Sequence, residues 1–381
     1  MRRALTLVLL LAAVRPAGAA AQSSVFGTRG LGIPQLPLSV RATGMGGSFG
    51  LLDGLSGLNP AALTSVQGLT AGINFYQNWR SSTTPGGTGS ASDPGMPYVT
   101  VVNRIKESKF YASGSFGTFT DRDFGYVTKD TTPVGGVPVE VTDSLKSTGG
   151  TANIRLGVGY RPGRTFSVGL AFQFLTGSNR LTLRRSFSDT LFAQVRQRSE
   201  LQFNAIGLSG GAVYHPSESF LLAGTVSHDG NVNVDRDSMP AWDLPMPWAF
   251  SGAAQVRLGR KGIVDAAVSY ATWGVANDGL LALGGTGAFN TLQGAVGAEL
   301  VTHPASPGKL PIRIGVRTGQ LPFPLVPGEQ PTESAVSAGT GVRFAKGRAA
   351  ADVALQRVWR DSNGGFSETA WILSIGMVLK P

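Results

Sequence analysis

The sequence has no cysteine, few charged residues and no long apolar run. Without cysteine the chain cannot form disulfides, thiolate metal sites or a lipid-attachment site after a leader. Charged residues are 15% of the 381 residues, which is low for a soluble protein surface. No run reaches the roughly 18 apolar residues of a membrane helix. These absences disfavour a disulfide scaffold, an ordinary soluble domain and a helical membrane protein.

The formal charge of +10 is spread along the chain. No basic stripe is interleaved with aromatic residues, so nucleic acid is a poor candidate partner. An anionic partner such as lipopolysaccharide, or an anionic solute, agrees better with this charge.

The first 21 residues have the pattern of a secretory signal peptide. Arg2 and Arg3 form a basic start, an apolar core runs from Leu5 to Val14, and Ala19-Ala20-Ala21 is a small-residue cleavage site before Gln22. A retained membrane anchor is the alternative, but the apolar core is too short to cross a bilayer. We therefore expect cleavage after residue 21 and a location in the bacterial cell envelope.

The mature chain shows recurring strict alternation between apolar and small residues. In the clearest stretch Phe166, Val168, Leu170, Phe172 and Phe174 share one face, opposite Ser167, Gly169, Ala171 and Gln173. A soluble β-sandwich would carry charged residues on its solvent face, whereas here the second face is small. This pattern predicts an all-β fold, a transmembrane antiparallel β-barrel of about 14 strands. The predicted strands lie near 67–79, 97–105, 108–119, 148–160, 164–177, 198–214, 218–229, 247–258, 262–273, 289–301, 310–320, 333–345, 348–360 and 367–380.

The connections between these strands alternate between tight and long. Most tight ones contain Pro or Gly, and the long ones are near 80–96, 120–147, 178–197, 230–246, 274–288 and 321–332. Outer-membrane barrels keep short turns in the periplasm and long loops outside. We therefore expect the long loops to be extracellular, with strand extensions within 120–147 and 178–197. Aromatic residues near strand ends suggest the interfacial girdle: Tyr76, Trp79, Tyr98, Tyr160, Trp248, Tyr270, Trp273, Trp359 and Trp371.

Residues 22–66 lack the alternation and precede a barrel domain predicted over 67–381. Asn59 followed by Pro60 has the sequence of a helix N-cap with proline at the first helical position. Glycines in this segment allow close backbone packing. A compact N-terminal hatch inside a lumen with a small inner face is the expected arrangement. The residues singled out in it are Arg41, Gly44, Gly46, Gly47, Asp53, Asn59 and Pro60.

The stretch from Arg41 to Phe49, followed by Asn59-Pro60-Ala61, resembles the N-terminal hatch of the FadL superfamily of outer-membrane barrels. It is as similar to the PorV/PorQ branch as to the fatty-acid transporters. The resemblance implies a fourteen-stranded barrel in the outer membrane whose N-terminus folds into the lumen. It also implies uptake of small hydrophobic solutes such as fatty acids, through an extracellular apolar groove, a pocket above the hatch and a hatch movement.

Two proline-rich apolar loops are candidates for an extracellular capture surface, because exposed apolar patches commonly mark binding sites. Their candidate residues are Trp242, Leu244, Trp248, Phe323 and Leu325. The alternative is that these loops fold down over the barrel mouth or sit in the outer leaflet.

Charged residues on the small face recur at one depth near the periplasmic rim. Six successive strands contribute Arg257, Asp265, Glu299, Arg313, Arg343 and Asp352. Opposite charges on neighbouring strands suggest the pairs Arg257–Asp265, Glu299–Arg313 and Arg343–Asp352. We expect this charge belt to hold the hatch, including Arg41 or Asp53, and the alternative is solvated ion pairs without a gating role. Arg155 and Arg317 lie deeper and could meet an anionic head group.

No catalytic, metal or cofactor site is expected. Gly207-Leu208-Ser209-Gly210-Gly211 spells G-x-S-x-G, but it lies within a strand instead of a strand–turn–helix. His215 and His303 each precede a proline in a predicted turn, and His228 stands alone. We therefore expect a monomeric, non-enzymatic barrel that contacts outer-membrane lipid and lipopolysaccharide and takes up small hydrophobic solutes. A PorV-like barrel that hands on secreted proteins, or a structural outer-membrane protein, are the alternatives.

Overall fold

A computed structural model describes residues 24–134, 137–189, 191–236, 239–302 and 310–381. The predicted signal peptide and His303 lie outside these ranges. Among the described residues fourteen antiparallel strands close into a barrel, because the last strand pairs with the first from Ser367–Thr83 to Leu379–Ala71. The strands are β1 Thr70–Thr84, β2 Gly87–Arg104, β3 Phe110–Asp121, β4 Val137–Tyr160, β5 Phe166–Phe187, β6 Val195–Ser217, β7 Phe220–His228, β8 Trp248–Arg257, β9 Gly262–Ala271, β10 Thr291–Leu300, β11 Ile312–Gln320, β12 Thr332–Phe344, β13 Ala349–Ser362 and β14 Phe366–Leu379.

The predicted two faces are present. In β5 the side chains of Leu170 and Phe172 are 60% and 57% exposed, whereas those of Ala171 and Gln173 are buried. A lipid-facing surface has this apolar character, and the small inward residues leave room inside the barrel. The girdle prediction is right for Trp79, Trp248, Tyr270, Trp359 and Trp371, which are exposed, and wrong for Tyr98 and Trp273, which are buried.

Three of the predicted long loops contain extended strands. The region 80–96 continues β1 and β2 as a hairpin whose tip is at Pro85–Gly86, where a loop was expected. Strand Phe124–Val134 pairs with β4, and β4, β5 and β6 continue past the barrel wall. We call this projecting sheet, residues 124–148 and 178–202, the fin.

The remaining long connections fold over one end of the barrel. Strands Asn231–Arg236 and Met239–Pro245 form a hairpin, and helices Trp273–Ala276 (3₁₀) and α2, Asn277–Ala282, occupy the next connection. None of the helices in the described ranges is long and apolar enough to cross a membrane. The opposite end carries the short turns, including the 3₁₀ turn Ala345–Gly347. We call the two ends the long-loop end and the short-turn end.

The segment before β1 lies inside the barrel. It contains 3₁₀ turns Val25–Gly27, Ser48–Leu51 and Pro60–Ser65, a two-residue strand Ile33–Pro34 and helix α1, Val40–Gly44. Ile33 and Pro34 pair with Asp121 and Thr120 at the top of β3, so the chain enters near the long-loop end. Residues 36–66, the hatch, then fill the short-turn half of the lumen, where they contact β5, β6 and β13.

Candidate functional site

The hatch is built from short capped turns. The Ser39 hydroxyl accepts a hydrogen bond from the backbone N–H of Ala42 at 3.1 Å and so caps α1. Gly46 and Gly47 turn the chain out of this helix with φ of +69° and +90°, values that favour glycine. Asn59 caps the 3₁₀ turn Pro60–Ser65 by accepting from the Ala61 N–H at 2.9 Å, with Pro60 at the first position, as the sequence predicted.

Glycines in the barrel wall accept the hatch backbone. A Cβ added at Gly315 or Gly297 would overlap the backbone of Met45, and one added at Gly169 would overlap Pro60. Gly339 and Gly44 face each other across the contact, where a Cβ on either would lie within 3.3 Å of the Cα of the other. The small inner face is therefore the surface on which the hatch is seated, since any side chain there would displace it.

An apolar cluster completes the seat. Leu38, Ala42, Met45 and Phe49 of the hatch pack with Val213 of the wall, and all are buried. Hydrogen bonds add to this contact. The Asn74 amide donates to the Leu38 carbonyl at 2.7 Å, and Thr64 donates to the Ser167 hydroxyl at 2.9 Å.

Arg41 connects the hatch to the charge belt. Its Nε and Nη2 donate to both carboxylate oxygens of Glu299 at 2.8 and 2.7 Å, a bidentate pair. Its guanidinium carbon also lies 4.3 Å from the centroid of the Phe49 ring, a cation–π contact within the hatch. The Arg41 side chain therefore contacts both the rest of the hatch, through Phe49, and the barrel wall, through Glu299.

Wall residues extend this network. Arg313 donates to Glu299 at 2.6 Å and to Asp352 at 2.5 Å, which joins three strands. The charges alternate through Arg41, Glu299, Arg313 and Asp352, and each of the three wall side chains is at most 14% exposed. Pairing of this kind offsets the desolvation cost of placing charges inside the lumen. We call these four residues the lower network.

The remaining belt residues are placed differently from the prediction. Arg257 and Arg343 are exposed and line a cavity of about 590 Å³ at the short-turn end, together with Arg41 and Asp53. The predicted pairs Arg257–Asp265 and Arg343–Asp352 are absent from the described part of the chain. The register is the reason, because it sets Gln255 opposite Asp265 and Gly341 opposite Asp352.

Asp265 instead accepts a hydrogen bond from the Gln255 side chain at 2.8 Å, while its second oxygen is buried without a hydrogen-bond partner. Asp53 stays within the hatch, where its oxygens accept from the Leu55 N–H at 3.1 Å and the Ser56 hydroxyl at 2.8 Å. Neither makes a salt bridge within the described ranges. Arg155 reaches the hatch, since it donates to the Gly57 carbonyl and to the Ser209 hydroxyl.

A second buried network, in the long-loop half of the lumen, was not predicted. Glu333 accepts from Arg317 and from Arg360, each at 2.8 Å, and Arg360 also donates to Glu368 at 2.5 Å. Ser82 of β1 donates to Glu368 at 2.9 Å and so carries the network across the closing seam. Following the small face to the ends of the strands that carry the long loops would have found these residues in the sequence. We call Arg317, Glu333, Arg360 and Glu368 the upper network.

An apolar cap closes the long-loop end. Its buried members come from the N-terminal segment, the fin base and three loops: Leu31, Leu175, Phe203, Ala205, Val232, Val234, Leu244, Met246, Trp273, Ala276, Leu280, Ala288 and Phe323. The Phe323 ring meets the Trp273 ring edge-on at 5.2 Å between centroids. Leu325 packs beside the cap with Phe26 and Ile33.

This cap corrects part of the capture-surface expectation. Leu244, Phe323 and Leu325 are 1%, 3% and 6% exposed, so they point into the barrel mouth. Trp242 is half-buried against the cap. Trp248 is 48% exposed and stacks on His228 at 4.5 Å on the outer surface. The alternative that these loops fold down over the mouth is the arrangement seen.

The G-x-S-x-G residues and the two histidines of the described ranges lie on strands of the barrel wall. The G-x-S-x-G residues lie inside β6, and Ser209 accepts a hydrogen bond from Arg155. His215 and His228 are on different strands, β6 and β7. No group of three or more potential metal ligands gathers among the residues that the structure describes.

The closed fourteen-stranded barrel with an N-terminal segment folded into its lumen is similar in fold to solved outer-membrane channels of the FadL type. A FadL homologue of Pseudomonas aeruginosa has this fold with a TM-score of 0.65 and 12% identity, over 91% of this chain and 99% of that one. The toluene transporter TodX of Pseudomonas putida aligns with a TM-score of 0.58 and 12% identity, over 92% and 99%. The monoaromatic hydrocarbon channel CymD aligns with a TM-score of 0.55 and 14% identity, over 90% and 97%.

The chain belongs to the BamG family, whose model matches residues 1–238, more than half of its length. No protein of curated function matches the sequence significantly.

Proposed function

We propose that this protein is an outer-membrane channel for small hydrophobic solutes, closed in this structure by the apolar cap and the hatch. The observation that carries the proposal is the apolar cap itself. The lumen of an ordinary barrel channel is polar, whereas here buried apolar side chains fill its long-loop end. A hydrophobic solute that replaced Leu31 and Phe323 would find an apolar site of matching chemistry.

The N-terminal segment supplies the outer gate in this proposal. Its attachment near the mouth includes the pairing of Ile33 and Pro34 with β3, the hydrogen bond from the Gln35 N–H to the Phe119 carbonyl at 2.8 Å, and the packing of Phe26 and Leu31. This is a small contact compared with the hatch seat below. The outer gate can therefore open while the hatch stays in place. Fatty acids and monoaromatic hydrocarbons are the two solute classes to test. The similarity in fold to a toluene transporter and a monoaromatic hydrocarbon channel supports the second class.

The test uses the cysteine-free sequence. Leu31→Cys with Phe323→Cys allows a short bismaleimide to join the N-terminal segment to the cap loop in whole cells. Uptake of a fluorescent long-chain fatty acid and of toluene is measured in a host without its own channel for either. We expect crosslinking to lower uptake to the level of the empty vector and to leave each single-cysteine variant unaffected. The proposal would be contradicted if the uncrosslinked protein showed no uptake, or if uptake continued after crosslinking.

A second candidate, the handing on of secreted proteins at the cell surface, is supported by the fin. Strand Phe124–Val134 is its outermost strand and pairs along its whole length with β4. Projecting sheets of this kind can accept an extended segment of another chain. Replacing residues 127–144 by Asn-Gly removes this strand and keeps the barrel. A defect in protein secretion with normal solute uptake would favour the second candidate over the first.

A further inference from the structure

The outer face of the fin continues the lipid-facing surface of the barrel. In β4, β5 and β6 the pairing runs without a register shift from the barrel wall into the fin. Even-numbered residues of β5 therefore stay on one face, from the exposed Phe172 and Phe174 to Arg180 and Arg184. A lipid molecule that packs against the wall lies directly below this part of the fin.

This outer face concentrates positive charge. Arg184 of β5 lies directly opposite Arg196 of β6. In the neighbouring cross-strand row on the same face, Thr182 of β5 lies between Lys146 of β4 and Arg198 of β6. All four cations are exposed. We call Lys146, Arg184, Arg196 and Arg198 the basic patch.

Nothing within the described part of the chain forms a salt bridge with the basic patch. Among the nearby carboxylates, Glu200 accepts from Arg180 at 3.1 Å, and Asp123 interacts with Lys146 at longer than salt-bridge distance. On the opposite face, by contrast, Arg185 makes a bidentate pair with Asp143 at 2.7 and 2.6 Å. Hydrogen bonds from Arg185 lower the pKa of Asp143, so that pair is charged and balanced at neutral pH.

Like charges directly opposite each other destabilise a β-sheet. The Arg184–Arg196 pair therefore lowers the stability of the fin unless an anion lies between or above the two guanidinium groups. Arginine forks bind phosphate and carboxylate oxygens in pairs, which makes such an anion the natural counterpart. The patch faces the side of the sheet on which lipids lie, and this indicates where the anion comes from.

The height of the patch identifies the class of lipid. Arg180 and Arg184 follow Phe174 by 6 and 10 residues. At about 3.3 Å per residue and a strand tilt near 40°, they lie roughly 15 and 25 Å above it. Phospholipid head groups extend only about 5–8 Å beyond the hydrocarbon core. The anions at this height are those of a glycolipid that carries charged sugars above its acyl chains.

We propose that the basic patch binds the phosphate and carboxylate groups on the inner sugars of outer-leaflet lipopolysaccharide. Lipid packed on the apolar face of β5 and β6 would carry its charged sugars upward between Arg184, Arg196 and Arg198. The fin is then supported by the membrane surface along its outer face, and the repulsion between its arginines is removed.

The test compares lipid binding by native mass spectrometry in detergent. The probes are deep-rough lipopolysaccharide, which keeps the innermost charged sugars, and phosphatidylglycerol. The variant is Arg184→Gln with Arg196→Gln, and the matched control is Arg260→Gln with Lys261→Gln, two exposed cations at the short-turn end. We expect the patch variant to lose about tenfold in lipopolysaccharide affinity. The control is expected to bind like the wild type, and phosphatidylglycerol binding is expected to be equal in all three proteins.

Thermal stability provides a second readout that does not depend on detecting the complex. Without lipopolysaccharide the patch variant should melt at the same temperature as the wild type or higher, because the arginine repulsion is gone. With lipopolysaccharide only the wild type and the control should gain stability. Equal lipopolysaccharide binding by patch variant and wild type, an equal loss in the control, or a parallel loss of phosphatidylglycerol binding would each overturn the proposal.

Discussion

Gly315 in β11 lies against the backbone of Met45, with no room for a side chain between the wall and the hatch. The same relationship recurs at Gly297 and Gly169, so the inner face is small where the hatch rests. These luminal glycines lie in direct contact with the hatch backbone and do not border an empty lumen. This explains how a barrel with so little bulk on its inner face is nevertheless filled.

Gly315→Ala is therefore expected to displace the hatch without unfolding the barrel. The added methyl group would overlap Met45, so either the hatch backbone or β11 must move. We expect residues 36–66 to be cleaved faster than in the wild type by a protease added from the short-turn side, and the barrel to keep its heat-modifiable migration on gels.

Gly294→Ala is the matched control, since a Cβ at this position on β10 meets no atom within 4 Å. It should be cleaved at the wild-type rate. If Gly315→Ala is also cleaved at the wild-type rate, the hatch is held by contacts other than this seat.

Arg41→Ala tests the lower network as the link between hatch and wall. The substitution removes the bidentate contact with Glu299, while Glu299 keeps Arg313 as a partner. Because the Arg41 side chain is 31% exposed, we expect a loss of only about 1 kcal/mol in unfolding free energy. The larger effect should be on the hatch, seen as faster cleavage of residues 36–66 by a protease added from the short-turn side.

Two other arginines separate this effect from a general loss of charge. Arg343→Ala removes an exposed arginine of the same belt that has no salt bridge among the described residues, so cleavage should stay at the wild-type rate. Arg313→Ala should reduce the unfolding free energy by about 3 kcal/mol, because it leaves Asp352 and part of Glu299 unpaired in a buried site. Equal cleavage rates in Arg41→Ala and wild type would exclude Arg41 as the link.

The upper network should contribute to barrel closure. Glu368 is 2% exposed and accepts from Arg360 and from Ser82 across the β14–β1 seam. Glu368→Gln keeps the shape of the side chain but removes the charge that balances Arg360, which should cost about 2–3 kcal/mol. The measurement is the urea midpoint of refolding in lipid vesicles. Glu107→Gln, an exposed carboxylate in the turn between β2 and β3, is the control and should leave that midpoint unchanged.

The strands and their faces could be predicted because lipid outside and small residues inside impose a strict period of two. Leu170 and Phe172 are exposed for that reason, and the pattern ends where the membrane ends. Above it, Arg80 and Asp93 are in paired strands that the sequence pattern indicated as a loop, since strands in water need no apolar face. Periodicity therefore located the membrane-spanning part of each strand but not its full length.

Residue-to-residue pairing depends on register and could be predicted only in part: the expected Glu299–Arg313 pair is present at 2.6 Å, whereas the other two expected pairs are not. The sequence placed Asp265 and Arg257 at similar depth on neighbouring strands, but a two-residue difference sets Gln255 opposite Asp265. The burial of Phe323 could not be predicted either, because the sequence of a proline-rich apolar loop is the same whether the loop faces water or packs on Trp273. The N-terminal segment packs against this loop in the folded chain and so determines that the loop is buried.

Asp265 gives the least intuitive prediction of the belt. It is 1% exposed, its partner is the neutral Gln255, and one of its oxygens has no hydrogen-bond partner. A buried carboxylate without a cation is costly, and replacing it by an amide removes the charge while keeping the oxygen that Gln255 contacts. Asp265→Asn should therefore raise the unfolding free energy by about 1 kcal/mol. Asp352→Asn, at the same depth but paired with Arg313 at 2.5 Å, should lower it by about 2 kcal/mol. Refolding midpoints in lipid vesicles measure both, and a loss of stability in Asp265→Asn as large as that in Asp352→Asn would mean that Asp265 is balanced by a cation after all.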